Sequence, residues 1–223
     1  FLVFFGFKDV KIDSTPIEAS PFLIFKLFAN AFNRRPVRRV AMAYFPYMLC
    51  VLGLYVFVSA NLSIRFGYGA IGSSVAMFLM GIGLAASSSM LVEPLNIRFS
   101  KRMIMFSCTV LFCIFISIFL LISSGPCALA IMLPVGVLHG IGYPTVLTGF
   151  SESVDKDEQG WVMGFATSLF TIAAALVSFF GGQLIASVGP QAPFFFAIAC
   201  GGVAIIAVLM KWKDVPELSK VML

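Results

Sequence analysis

Charged residues are scarce in this chain of 223 residues. Lysine, arginine, aspartate and glutamate together make up 11% of it, whereas they form about a quarter of ordinary soluble domains. Hydrophobic residues make up 60%. This composition excludes a soluble globular protein, and because one membrane-spanning helix uses ~20 apolar residues, the length accommodates about six crossings.

Sequence signatures of catalysis and metal binding are missing as well. There is no GxSxG, HExxH or P-loop pattern, and all ten acidic residues lie outside the apolar runs. The cysteines form no CxxC pair and have no neighbouring histidine, so neither a disulfide framework nor a zinc site is indicated. We therefore predict that the chain is not an enzyme and has no cofactor or metal. The five cysteines are Cys50, Cys108, Cys113, Cys127 and Cys200.

Four long uncharged runs dominate what is present. They cover residues 40–63, 66–92, 103–151 (where His139 is the one ionisable residue) and 159–210. The last two are too long for one crossing. Each is divided by a predicted turn, the first at SSGPC (123–127) and the second at SVGPQAP (187–193). None shows the alternation that a membrane barrel requires. The sequence predicts an all-α membrane protein with six transmembrane helices.

The domain organisation follows from these runs. Residues 1–7, FLVFFGF, would reach only ~10 Å as a helix, which is too short to cross a bilayer. We therefore predict that they are the end of a preceding transmembrane helix and that the chain is a fragment of a longer protein. Residues 8–39 are predicted to be a cytoplasmic linker with a short surface helix from Pro21 to about Asn33, because Ser20-Pro21 is a favoured helix start. Residues 40–211 form the predicted six-helix bundle, and 212–223 the tail.

The basic residues predict how the bundle lies in the membrane. Fourteen of the fifteen lysines and arginines fall in residues 8–39, 93–102, 151–158 and 211–223, and only Arg65 falls in the other connections. Since cytoplasmic loops carry the excess of Lys and Arg, both chain ends are predicted to be cytoplasmic. We expect a multi-pass protein of the plasma membrane, such as a bacterial inner membrane. The arginines at 34, 35, 38 and 39 fit this topology and contact with lipid headgroups better than nucleic-acid binding.

Two motifs within the runs have more than one interpretation. Residues 67–72 contain a literal GxGxxG, but no strand precedes it, so we predict a helix–helix turn and not a dinucleotide site. His139 is the only ionisable residue deep in a span. It is either a solute or proton contact or a neutral histidine bonded to a neighbouring helix. Gly136 and Gly140 beside it have the spacing that permits close helix packing.

Two loop segments resemble those of a known family. Residues 93–102, EPLNIRFSKR, are similar to the GxLxDRxGRR loop of the major facilitator superfamily at Leu95, Arg98, Lys101 and Arg102, with Ile97 and Ser100 as departures. Residues 157–164, DEQGWVMG, resemble the start of helix eleven in its drug/proton antiporters. With six spans and cytoplasmic ends, the whole chain resembles the carboxyl-terminal half of such a transporter, helices seven to twelve.

The resemblance implies secondary active transport of a small organic solute by alternating access, coupled to protons. It also implies two kinds of partner: membrane lipids and a missing N-terminal half of six helices. It implies a gating role for the cytoplasmic loop residues Glu93, Arg98, Lys101 and Arg102, and close packing at Gly160 and Gly164. The implied solute-binding residues are Tyr44, Tyr47, Ser74, His139, Tyr143, Thr167 and Thr171. The alternative that stays open is a non-transporting six-helix membrane subunit acting through its cytoplasmic loops.

Overall fold

A computed structural model describes residues 28–29 and 31–212 of the chain. These residues form helices and no strands, and six of the helices are long and apolar enough to cross a membrane. The predicted all-α fold with six transmembrane helices is therefore confirmed. In chain order the six are α1 Arg35–Phe66, α2 Ala70–Met90, α3 Lys101–Leu121, α4 Gly125–Ser151, α5 Gln159–Ser187 and α6 Ala192–Lys211.

The connections contain more helix than the uncharged runs predict. Helix α1 begins at Arg35, before the predicted boundary at 40, because Pro36 occupies a position near the helix start that suits proline. A short helix, Val92–Arg98, follows α2, with Glu93 in its first turn and Arg98 in its last, as the helix dipole favours. Most of the predicted surface helix lies outside the described residues. The described part of it, residues 28–29 and 31–33, is helical. The predicted helix end at 1–7 and nearly all of the tail also lie outside them.

Helix α1 forms the centre of the bundle. About 72% of its most apolar stretch is buried inside the chain, against 22% for α2. Helix α1 packs mainly on α6 and α5, α2 packs on α4, and α3 packs on both α4 and α6. The core therefore surrounds α1, while α2 leaves most of its surface outside the bundle.

The glycine-rich segment after α1 is a turn between two helices, as predicted. Gly67 adopts a left-handed conformation, with φ at 68°, and its N–H donates to the Ser63 carbonyl. The N–H of Tyr68 donates to the Leu62 carbonyl. This closes α1 with a glycine cap of the kind that satisfies the last carbonyl groups of a helix.

Helices α2 and α4 approach each other very closely. A Cβ atom added to Gly136 would overlap the Met80 carbonyl oxygen, and one added to Gly140 would lie 2.5 Å from the Leu84 carbonyl oxygen. In addition, the Ser88 hydroxyl donates to the Gly140 carbonyl at 3.0 Å. The backbones of α2 and α4 are thus in direct contact, which fixes the position of the segment of α4 that contains His139.

Candidate functional site

Helices α1 and α4 bring three aromatic side chains together inside the bundle. A hydrogen bond of 3.0 Å joins His139 Nδ1 to the Tyr55 hydroxyl. The ring centroids of Tyr55 and His139 lie 5.2 Å apart, and those of His139 and Tyr143 lie 5.6 Å apart. His139 and Tyr143 are one helical turn apart on α4 and so face the same side. We call Tyr55, His139 and Tyr143 the aromatic cluster.

This region has unused hydrogen-bonding capacity. Among the described residues, His139 Nε2 and the Tyr47 hydroxyl group are buried and have no hydrogen-bond partner. A buried polar atom without a partner costs about 1–3 kcal/mol. When the Tyr55 hydroxyl donates to Nδ1, the neutral imidazole carries its proton on Nε2, which is then a free donor. The arrangement can therefore bind a polar group of a solute or a water molecule.

Two further tyrosines, Tyr44 and Tyr47, lie on α1 near the aromatic cluster. Tyr44 is fully buried, makes an edge contact with Phe150 at 5.4 Å and lies near Tyr143. The Tyr47 hydroxyl packs closely against Gly142 of α4: a Cβ atom added to this glycine would lie only 2.5 Å from the hydroxyl oxygen. Two of the predicted binding residues thus flank the cluster, with their rings packed in the core.

Three other predicted solute-binding residues have a different environment. Ser74, Thr167 and Thr171 are exposed, and each hydroxyl donates to a carbonyl of its own helix four residues earlier, at 2.9–3.0 Å. No hydrogen bond or ring contact among the described residues joins them to the aromatic cluster. Ser74 borders a shallow depression on α2 together with Ile71 and Phe78.

Sequence analysis missed Tyr55. A signal was present, because Tyr55 follows Tyr44 by eleven residues, which is close to three helical turns and puts both on the same face of α1. His139 and Tyr143 share a face of α4 in the same way. These two spacings place the polar aromatic residues of each helix on one face, and the structure shows that the two faces meet.

Two of the four predicted loop residues, Lys101 and Arg102, form polar contacts at one end of the bundle. Lys101 Nζ lies 2.8 and 2.9 Å from the two carboxylate oxygens of Glu152, and Arg102 donates to the Leu209 carbonyl at 2.8 Å. Glu93 and Arg98, at the two ends of the short helix, are exposed. The start of α3 is therefore linked both to the end of α4 and to the last turns of α6.

A second ion pair attaches the start of α1 to α5. Both terminal guanidinium nitrogens of Arg34 donate to the Glu158 carboxylate, one of them at 2.6 Å. The guanidinium lies 5.3 Å from the centre of the Trp161 ring. The hydrogen bond to Glu158 raises the pKa of Arg34 above its ordinary value. The Arg34 region and the connection between α4 and α5 therefore lie at the same end of the bundle.

The four glycines predicted to mediate packing fall into two environments. Gly136 and Gly140 are buried against α2, as described above. Gly160 and Gly164 are exposed at the start of α5, and a Cβ added to either would have no atom of the described residues within 4 Å.

Comparison with known proteins identifies a family. A family model described as Major Facilitator Superfamily matches residues 40–221, a range that includes all six spanning helices apart from the first residues of α1. A search among curated proteins finds no match.

Proposed function

Since the chain belongs to the Major Facilitator Superfamily, a family of membrane transporters, we propose that it serves secondary active transport of a small organic solute by alternating access. In this proposal the chain forms the C-terminal half of the transporter, helices seven to twelve. The aromatic cluster contacts the solute on the side that faces the other half. Transport is driven by a proton gradient.

The observation that carries the proposed site is the hydrogen bond between His139 and Tyr55, with His139 Nε2 buried and unpaired. His139 lies near the middle of α4, on the order of 20 Å from either end of the helix. An ionisable side chain at that depth is costly and marks a solute or ion pathway by default. Solute sites of this kind of transporter lie near the midplane.

The proposal for proton coupling depends on which titratable residues the helices contain. Helices α1 to α6 hold no aspartate or glutamate, and His139 is the one histidine of the chain. Among side chains, histidine has the unperturbed pKa closest to physiological pH. We propose that the proton-carrying acid lies in the other half, and that His139 takes part through contact with the solute.

The test is solute flux in proteoliposomes that contain the full-length protein, with and without an imposed pH gradient, across a panel of organic solutes. We expect at least one solute to move faster with the gradient and to slow when a protonophore is added. His139→Phe, which keeps an aromatic ring but removes both ring nitrogens, should reduce that flux at least fivefold. Tyr55→Phe should reduce it about fivefold, because a hydrogen bond is worth ~1 kcal/mol.

Tyr68→Phe is the matched control, since Tyr68 lies in the turn between α1 and α2, outside the aromatic cluster, and should keep wild-type flux. Wild-type flux from His139→Phe would place the solute site elsewhere. An absence of flux for every solute, with the protein correctly inserted, would favour the non-transporting subunit acting through its loops.

A further inference from the structure

An apolar groove lies between α1, α5 and α6, away from the aromatic cluster. Its volume is about 730 Å³, and it includes Phe28 and Phe32 of the segment before α1. Met42, Phe45 and Leu49 line it from α1, and Val203 lines it from α6. Among the described residues, no charged side chain lines the groove, so a ligand inside it is expected to be apolar.

The depth of the groove corresponds to one leaflet of a bilayer. Its lining on α1 runs from Ala41 to Leu49 and on α6 from Met210 back to Cys200, which is ~12 to 15 Å at the rise of a helix. Half of a typical hydrocarbon core is about 15 Å. Since the chain is a multi-pass membrane protein, the acyl chains of one leaflet have the right length to fill the groove.

Arginines lie at the end of the groove where a lipid headgroup would be. Arg35 and Arg38 precede Met42, Phe45 and Leu49 at spacings of three and four residues, so all five follow one face of α1. Arg35 and Arg38 are both exposed.

Two hydrogen bonds tie arginines to this end of the groove. Arg38 donates to the carbonyl of Phe32, and Arg102 donates to the carbonyl of Leu209, the neighbour of Met210. Each guanidinium has five N–H donors, so both retain donors for a phosphate group.

We propose that this groove binds an anionic phospholipid, with an acyl chain against Met42, Phe45 and Val203 and the phosphate held by Arg35, Arg38 and Arg102. Basic pockets between transmembrane helices bind anionic headgroups in this way. The apolar part alone would accept any lipid, and the arginines select for negative charge. This inference does not depend on the proposed transport activity.

The test measures lipid binding to the delipidated full-length protein in detergent by native mass spectrometry. Phosphatidylglycerol and phosphatidylcholine with identical acyl chains are the two probes. We expect preferential binding of phosphatidylglycerol. Arg35→Gln/Arg38→Gln should weaken its binding about fivefold for each arginine removed and leave phosphatidylcholine unchanged. Arg98→Gln/Lys156→Gln, which removes the same charge from exposed positions at the same end of the bundle, is the control and should retain the preference.

A second variant tests the groove itself. Val203 is 57% exposed, so Val203→Trp can fill the groove without entering the core, and it should reduce the binding of both lipids. Equal binding of the two lipids by the wild-type protein would overturn the proposal, as would full displacement of phosphatidylglycerol by inorganic phosphate, which would indicate a site for a free anion. Unchanged binding by both groove and arginine variants would also overturn it.

Discussion

At the scale of single residues, Arg65 shows how one exception to the charge pattern is accommodated. It is the one basic residue outside the predicted cytoplasmic segments. Its guanidinium donates to the carbonyls of Phe119, Leu120 and Ile122 at 2.6 to 3.1 Å and lies 5.0 Å from the Phe66 ring centre. Helix α3 ends there without a glycine cap, so its last carbonyls need donors from elsewhere. Arg65 supplies them and complements the negative end of the helix dipole.

We predict that Arg65→Gln lowers the stability of the purified protein by about 1–3 kcal/mol, because the charged hydrogen bonds to α3 are lost and buried carbonyls are left unpaired. The measurement is the midpoint of thermal unfolding in detergent. Arg98→Gln removes the same charge from an exposed position and should change the midpoint little. Equal midpoints for the two variants would show that the contacts of Arg65 contribute nothing to stability.

Individual residues also show why only part of the candidate site could be predicted. His139 was identifiable because it is the one ionisable residue within a span, and Tyr143 follows it at a helical spacing. Ser74, Thr167 and Thr171 carry hydroxyl groups that hydrogen-bond their own helices, as serine and threonine commonly do in a helix. Apolar residues cover every face of these spans, so the sequence does not reveal how each helix is rotated toward its neighbours.

At the scale of helices, the contact between α2 and α4 depends on small residues. Gly83 and Gly136 each face the backbone of the opposite helix, and an added Cβ on either would overlap it. In a membrane, where hydrophobic burial between helices is weak, such close backbone approach is a main source of association. The position of His139, three residues beyond Gly136, therefore depends on this contact.

We predict that Gly136→Ala destabilises the protein by about 1–3 kcal/mol, the usual cost of overpacking, because the methyl group overlaps the Met80 carbonyl oxygen and no flexible side chain can move aside. Gly164→Ala is the matched control, since an added Cβ there has no neighbour within 4 Å among the described residues. Resistance to thermal unfolding in detergent is the readout. A stability equal to that of the control would contradict the close approach of α2 and α4.

The number of helices was predictable, and their exact ends were not. Uncharged runs longer than one crossing, divided by Gly-Pro turns, indicated six spans. The first charge in a run does not end a helix, however, because arginines extend into the headgroup region while the backbone remains helical. For this reason α1 starts at Arg35 and not at residue 40.

At the scale of the whole molecule, the two ion pairs between Lys or Arg and Glu side chains given above lie at one end of the bundle. The Arg34–Glu158 and Lys101–Glu152 pairs and the bond from Arg102 to Leu209 connect the segments that hold nearly all basic residues. Exposed ion pairs contribute little stability individually. Their value here is geometric, because they show that Arg34, the start of α3 and the connection between α4 and α5 share one end.

Orientation in the membrane gives the last prediction. The excess of lysine and arginine at the Arg34 end predicts that this end faces the cytoplasm. Ser123, between α3 and α4, and Asp157, between α4 and α5, are both exposed and lie at opposite ends of α4. In a Cys127→Ser background, Ser123→Cys should react with a membrane-impermeant maleimide on intact cells, and Asp157→Cys only after permeabilisation. Reaction of both on intact cells would contradict the crossing by α4, and the reverse pattern would show that the charge rule assigns the wrong face.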